Sequence, residues 1–217
     1  MRKTIILFDL DGTLIDSTEA ILEGFNVAFK KFNQKAPADE VIKSHIGKTL
    51  HDMFNLMGVE ERLLDSYVLA YKTHYRTIHT QKTHLLPKAK EALELASSFA
   101  TLGVVTTKTG KYSIEILKHL GVMDYFEVLV GMEDVSNPKP HPEPILKALS
   151  RLNQKDIDKS NSWMIGDTPM DILSAKNAKI NPIGVTSGYG SFEELSRDTS
   201  LIFPDAFEAI KYLSPKR

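Results

Sequence analysis

The chain reads as an α/β protein, a doubly wound parallel sheet of Rossmann-like type with a helical domain inserted after its first strand. Three observations predict this. Short continuous apolar runs flanked by polar residues recur along the sequence, as expected of strands buried on both faces. Helical apolar patterns lie between these runs, and such alternation is the mark of a doubly wound sheet. The first two runs are separated by about 90 residues, far more than an ordinary αβ connection needs.

The first run is Ile5-Ile6-Leu7-Phe8. Similar runs follow at Leu102 to Val105, Val128 to Val130, Trp163 to Ile165 and, more weakly, Ile183 to Val185. Between them, Lys88 to Ser97 carries Ala89, Ala92, Leu93 and Ala96 on one helical face. Tyr112 to Leu120 does the same with Ile114, Leu117 and Leu120. Pro144 to Leu152 does so with Ile145, Ala148, Leu149 and Leu152. The segment from Asp16 to Lys82 shows no convincing strand. It reads as four helices, Ser17 to Phe32, Ala38 to Ile46, Leu50 to Met57 and Glu60 to Ile78. Asp16 or Ser17 suits the first N-cap, and Pro37, Gly47 and Gly58 punctuate the rest. The expected division is a core of residues 1–15 and 83–217 with an insert of residues 16–82. A cleft between them would lie over the carboxyl ends of the strands, where α/β sheets bind ligands.

Composition narrows the function. The 217 residues are long enough for a multi-strand core. A net charge of −1 and a pI near 6.7 give no field that favours nucleic acid or an anionic membrane. The absence of cysteine excludes disulfides, thiolate metal sites and a cysteine nucleophile. The apolar run after Met1-Arg2-Lys3 ends at Asp9, too short for a signal-peptide core, and no stretch approaches the ~18 apolar residues of a membrane span. The expectation is a cytoplasmic protein acting on a small molecule, without nucleic-acid or membrane partners, as a monomer or weak homodimer.

Polar residues cluster just after the predicted strands. Asp9 and Asp11 follow the first, Thr106 and Thr107 the second, and Asp167 and Asp171 the Trp163 run. Lys139 follows the Val128 run after a longer loop. In a parallel sheet these ends share one edge. Carboxylates gathered there repel unless a cation sits among them, and hard oxygen ligands without His or Cys favour Mg²⁺. Asp9 can then attack phosphorus to give an aspartyl-phosphate. Asp11 can protonate the leaving oxygen and afterwards activate water. Lys139 and Thr106 can hold phosphoryl oxygens, and Gly12 allows a sharp turn and close backbone approach. Taken singly, each feature has a plainer reading. Asp-Gly is a common turn pair, Asp167 and Asp171 suit a helix start, and Lys139 among prolines suits a solvated loop.

Together the motifs resemble those of the haloacid dehalogenase-like hydrolase superfamily. Asp9-Leu10-Asp11-Gly12-Thr13-Leu14 resembles its first motif, Val104-Val105-Thr106 its second, Lys139-Pro140 its third and Gly166-Asp167-Thr168-Pro169-Met170-Asp171 its fourth. The helical insert resembles the family's cap. The resemblance implies that Asp9 is nucleophile and metal ligand, and that Asp11 is the acid–base and binds Mg²⁺ through its carbonyl. It implies phosphoryl contacts from Thr106 and Lys139, a direct metal ligand in Asp167, and support from Asp171. Thr107 stands where Asn is common. Ile46-Gly47-Lys48-Thr49 resembles the substrate loop of phosphoglycolate phosphatases, making Gly47, Lys48 and Thr49 candidate substrate contacts. The loop Gly184 to Gly190 resembles that subgroup too. Leu86-Pro87-Lys88 departs from it, since Pro-Gly is usual there. The implied substrate is a small phosphate monoester, with 2-phosphoglycolate foremost. Pyrophosphate, a nucleotide, a sugar phosphomutase reaction and a receiver-like signalling role are the alternatives. The histidines form no metal pattern; His74, His79 and His84 read as surface or hinge residues, and His141 as loop structure. Phe25, Phe29, Phe32 and Met53 read as core of the insert.

Overall fold

The computed structural model describes residues 4–152 and 157–215. Residues 1–3, 153–156 and 216–217 of the expected core lie outside the described residues. Six parallel strands form the main sheet: β1 (Thr4–Phe8), β4 (Ala100–Val105), β5 (Phe126–Val130), β6 (Ser162–Gly166), β7 (Asn181–Val185) and β8 (Ile202–Phe203). Their spatial order is β5-β4-β1-β6-β7-β8. This is the doubly wound order, with β1 central and the winding reversing between β1 and β6. Neighbouring β1 pairs Phe8 with Val104 on one side and with Ile165 on the other. The two strand ends that carry Asp9 and Asp167 are therefore adjacent at the switch point.

The period-two pattern of β1 explains its central place. Ile6 and Phe8 enter one buried cluster with Leu93, Val104 and Ile116. Ile5 and Leu7 enter the opposite one with Val128, Ile145 and Met164. Helices α5 (Ala89–Ser97) and α10 (Ala206–Leu213) supply buried residues to the first cluster, and α7 (Glu143–Arg151) and α8 (Pro169–Ala178) to the second. The remaining core-side helices are α6 (Gly110–His119) and α9 (Phe192–Ser196).

The insert contains α1 (Thr18–Lys31), α2 (Asp39–Lys43), α3 (Leu50–Leu56) and α4 (Leu64–Ile78). It has its own aromatic cluster around Phe25, Phe29, Phe54, Tyr67 and Tyr71. Helix α2 is much shorter than the Ala38 to Ile46 expected, because the chain turns from Ser44 onward. A 3₁₀ turn at Glu61–Leu63 precedes α4 within the single helix expected there. The two crossings into the insert are tied by a small antiparallel pair that the sequence reading did not contain. In it β2 (Ile15–Asp16) pairs with β3 (His84–Leu85). Of the Asp16 to Lys82 segment expected to hold no strand, only Asp16 belongs to one, and two-residue strands leave no periodicity to see. Asp16 Oδ1 accepts the Thr18 N–H at 2.9 Å, while Ser17, at the N-cap position, turns its hydroxyl elsewhere.

His79 is also corrected: it is buried, not a surface residue. It packs against the rings of Tyr75 and Tyr112, which also meet each other, and contacts Glu115 at 2.9 Å. His84 does sit at the crossing, in β3. Lys88 adopts φ +61, which accounts for a glycine being usual there. Among the described residues no helix is long and apolar enough to cross a membrane.

A second left-handed lysine offers a stability test. Lys179 ends α8 with φ 62, and the Ile180 N–H reaches back to Ala175 O at 3.0 Å. A side chain in this conformation costs roughly 1 kcal/mol relative to glycine. Lys179→Gly is expected to stabilise the protein by about that amount and to raise Tm by roughly 2–4 °C in thermal unfolding.

Candidate active site

The loop after β1 is closed by its own backbone. Leu14 and Ile15 N–H groups both donate to Leu10 O, and Gly12 N–H donates to Ile15 O. Gly12 takes φ +81, and a Cβ there would lie 2.3 Å from Asp167 Oδ2. Glycine is therefore required twice over, by conformation and by contact. The turn leaves Asp9 buried at the strand end and Asp11 beside it.

Lys139 joins the acidic groups. Its Nζ donates to Asp9 Oδ1 at 2.7 Å, Asp171 Oδ1 at 2.5 Å and Val105 O at 3.0 Å. It reaches them from a loop held by Glu143, whose carboxylate accepts the N–H groups of Ser136 and Asn137. His141 is loop structure, as expected: its Nδ1 accepts Glu143 N–H and its carbonyl accepts the Ser174 hydroxyl. Asp171 caps α8 through its second oxygen, which accepts Thr168 N–H at 3.1 Å and the Thr168 hydroxyl at 2.7 Å. Asp167 accepts the Thr13 hydroxyl at 3.0 Å and Tyr189 N–H at 2.8 Å.

Asp9, Asp167 and Asp171 each offer an oxygen within 4.8 Å of the others. Burial pushes the Asp9 carboxyl up to about 7, against the pull of Lys139. Burial, with the charges of Asp9 and Asp171, pushes Asp167 well above the usual carboxylate range. Burial alone would lower Lys139, but Asp171 and Asp9 outweigh it and hold the ammonium above the usual lysine value. Four carboxylates, counting Asp11, face two ammonium groups, Lys139 and Lys108. Two negative charges remain when all are ionised. A hard divalent cation fits this donor set in charge and chemistry.

Thr106 is buried, and its Oγ1 accepts Lys108 N–H at 3.1 Å, leaving its own O–H as a donor. A cavity of about 170 Å³ opens beyond Asp11, with Thr107 and Lys108 on the sheet side. The insert supplies the opposite wall, including Phe25, Leu50, Met53 and Val68. Phe25 and Met53 are thus both core, as expected, and cavity wall. Gly47 and Lys48 line the same cavity, and Gly47 comes against Thr168, where a Cβ would lie 3.0 Å from Cγ2. Thr49 lines it too, but its hydroxyl donates to Asp52 Oδ2 at 2.7 Å and accepts Asp52 N–H, capping α3.

Several site residues lay outside the sequence reading. Thr13 and Tyr189 hold Asp167, Ser17 donates its hydroxyl to Asp11 Oδ1, and Lys108 stands 3.2 Å from Asp11 Oδ2. Thr13 carried a signal as part of the motif Asp9 to Leu14, and Tyr189 as part of the loop Gly184 to Gly190.

Comparison with known proteins bears on this arrangement. The model of the haloacid dehalogenase-like hydrolases matches residues 6–185. The pyrophosphatase PpaX of Bacillus pumilus is 36% identical over 184 residues, which span 83% of this chain and 82% of that protein. The phosphoglycolate phosphatase of Neisseria meningitidis is 31% identical over 201 residues, spanning 89% and 84%. A solved haloacid dehalogenase-like family hydrolase from Streptococcus pneumoniae superposes with a TM-score of 0.87 at 27% identity, over 98% of this chain and 99% of that one.

The raised carboxyls make a thermodynamic prediction. Asp9 titrates at about 7 in the fold against an ordinary 3.8, so its contribution to stability is lost as pH rises from about 4 through 7. A divalent cation should offset this loss where the cluster is ionised. Saturating Mg²⁺ is expected to raise Tm by roughly 5–10 °C at pH 8 and by much less at pH 5. Asp167→Asn should abolish the Mg²⁺-dependent shift in the same melting assay.

Proposed function

The chain belongs to the haloacid dehalogenase-like hydrolase family, and on that premise we propose that it is a Mg²⁺-dependent phosphatase of small phosphate monoesters acting through an aspartyl-phosphate on Asp9. The observation that carries the reading is the placement of Asp9 and Asp11. Asp9 lies buried among Lys139, Asp167 and Asp171, whereas Asp11, two residues on, lines the cavity. The phosphoryl group belongs on the first side and the leaving group on the second.

Asp9, Asp167 and Asp171, with the Asp11 carbonyl that family resemblance adds, would hold the metal. Mg²⁺ bound there supplies positive charge that offsets repulsion between a carboxylate and an anionic phosphoryl group. Lys139 takes one Asp9 oxygen and directs the other toward phosphorus. An Asp9 oxygen forms the new P–O bond as the ester P–O bond breaks, and Asp11 gives its proton to the departing alkoxide. Asp11 then takes a proton from the water that attacks the aspartyl-phosphate, and Asp9 leaves as a carboxylate. The Thr106 hydroxyl donates to a phosphoryl oxygen, and the Lys139 ammonium, with its three N–H groups on Asp9, Asp171 and Val105, adds positive charge beside the phosphoryl group through both steps. Residues 16–82 serve as a cap that closes the cavity over the leaving group and excludes water.

The apolar walls from Phe25, Leu50, Met53 and Val68 suit an organic leaving group better than a second phosphate. Lys48 and Lys72 line the same cavity and suit a leaving group that carries an anion. The apolar walls support 2-phosphoglycolate over pyrophosphate, while the lysines fit either anionic leaving group, and relatives bear both names. Asp9→Asn is expected to lower Mg²⁺-dependent phosphate release by more than about 10³-fold, and Asp11→Asn by about 10²–10⁴-fold while Mg²⁺ still binds. Either variant keeping wild-type turnover would sink the mechanism. A phosphate-release screen over 2-phosphoglycolate, pyrophosphate, nucleotides and sugar phosphates should rank the first highest.

A further inference from the structure

Lys108 follows Thr106 and Thr107 in the loop after β4, and the reaction above makes no use of it. Its side chain is only 8% exposed. An ammonium withdrawn from water to that degree is strongly disfavoured unless it is partnered. Its Nζ lies 3.2 Å from Asp11 Oδ2. It also donates to the Tyr75 hydroxyl at 2.8 Å and stands 4.7 Å from the centre of the Tyr75 ring. Burial opposes the charge, yet Asp11 and Tyr75 outweigh it and hold Lys108 above the usual lysine value.

These two partners belong to different parts of the molecule. Asp11 sits in the loop after β1. Tyr75 sits near the end of α4, the helix from which the chain returns to the sheet. The Tyr75 ring is itself fixed, stacked at 5.3 Å on Tyr71 and at 5.7 Å on His79. The remaining Asp11 oxygen accepts the hydroxyl of Ser17, where the chain enters the insert. The Asp11 carboxylate is therefore held from both crossings, directly by Ser17 and through Lys108 by Tyr75. Lys139 differs, because its partners Asp9, Asp171 and Val105 all belong to the sheet side.

We propose that Lys108 is a positioning residue that transmits the seating of the helical insert, sensed at Tyr75, to the orientation of the Asp11 carboxylate. The inference rests on the phosphatase reading and concerns direction, since a proton-transfer group misplaced by about 1 Å can lose roughly 10²-fold in rate. With Tyr75 docked, the hydroxyl and ring fix the ammonium, and the ammonium fixes Asp11 toward the cavity. With Tyr75 withdrawn, Lys108 has no tether to the insert and Asp11 loses its set direction.

Leaving-group dependence separates this role from substrate binding or simple structure. Protonation by Asp11 matters for an alkoxide and little for 2,4-dinitrophenolate, which departs unaided. Single-turnover release of both kinds of leaving group, with Mg²⁺ present, is the readout. Lys108→Met is expected to slow cleavage of the best alkyl ester about 100-fold with KM changed less than about threefold. Dinitrophenolate release should stay within about threefold of wild type. Tyr75→Phe keeps the ring, removes the hydroxyl and is expected to show the same selective loss at about tenfold. It carries the test if Lys108→Met does not fold. Equal losses on both esters, or a loss confined to KM, would overturn the positioning role while leaving the phosphatase reading intact. No Mg²⁺-dependent phosphate release from any ester by the wild-type protein would overturn that reading and this inference with it.

Discussion

Like charges packed into a buried strand edge are the constraint from which the rest of this structure follows. Asp9, Asp167 and Asp171 lie within reach of one another with almost no water, and each is tolerated only because specific donors face it. Lys139 bridges Asp9 and Asp171. Thr168 completes Asp171, and Thr13 with the Tyr189 backbone completes Asp167. Supplying those donors from several loops forces the loops together. Backbone approaches Asp167 so closely that a Cβ at Gly12 or Gly188 would stand 2.3 or 2.0 Å from its Oδ2. The strand order does the initial work, since reversal of winding between β1 and β6 sets the Asp9 and Asp167 ends side by side.

The proposed nucleophile and its proton partner are supported in different ways. Asp9 stands on a central strand, and its partners come from the sheet and its loops. Asp11 is two residues further on, outside the strand, and is held by Ser17 at the entry crossing and by Lys108 of the loop after β4, which is itself tied to Tyr75 of the insert. This asymmetry has a chemical logic. Attack on phosphorus needs a fixed direction at all times, whereas an exposed acid–base serves no purpose until the leaving group is enclosed. The small pair of β2 and β3 ties the crossings together, so entry and exit of the insert move as one.

Most of the core and the four strand-end motifs were legible in the sequence because their signals are local. Apolar runs mark the central strands, and Asp9-Leu10-Asp11-Gly12-Thr13 or Gly166-Asp167-Thr168-Pro169 mark the ends. The missing pieces have physical reasons. Helix α8 buries Asp171 and Ser174 along with Ile172, Ala175 and Ala178, so the polar members of the buried face weaken its hydrophobic signal. Strands β2, β3 and β8 have two residues each, too few for any period. Lys108 and Ser17 look like ordinary loop and cap residues, and their importance comes from Asp11 and Tyr75, partners brought to them by tertiary packing. His79 was misread for the same reason, because its burial depends on Tyr112 from the other side of the interface.

Specificity is constrained by a different economy of residues. Phe25 and Met53 form the cavity wall and also the aromatic core of the insert. Changing either would reshape the site and weaken the insert together, since a truncated core side chain costs roughly 2–5 kcal/mol. Lys48, Leu50 and Lys72 line the same cavity but are only half-buried, so they can change with little loss of packing. The strand-end carboxylates have no comparable freedom. Each is a partner of another buried group, and removing one leaves an uncompensated charge or an orphaned donor behind. On the phosphatase reading proposed above, the chemistry is fixed by mutual burial, and the choice of leaving group rests with side chains that the fold does not need.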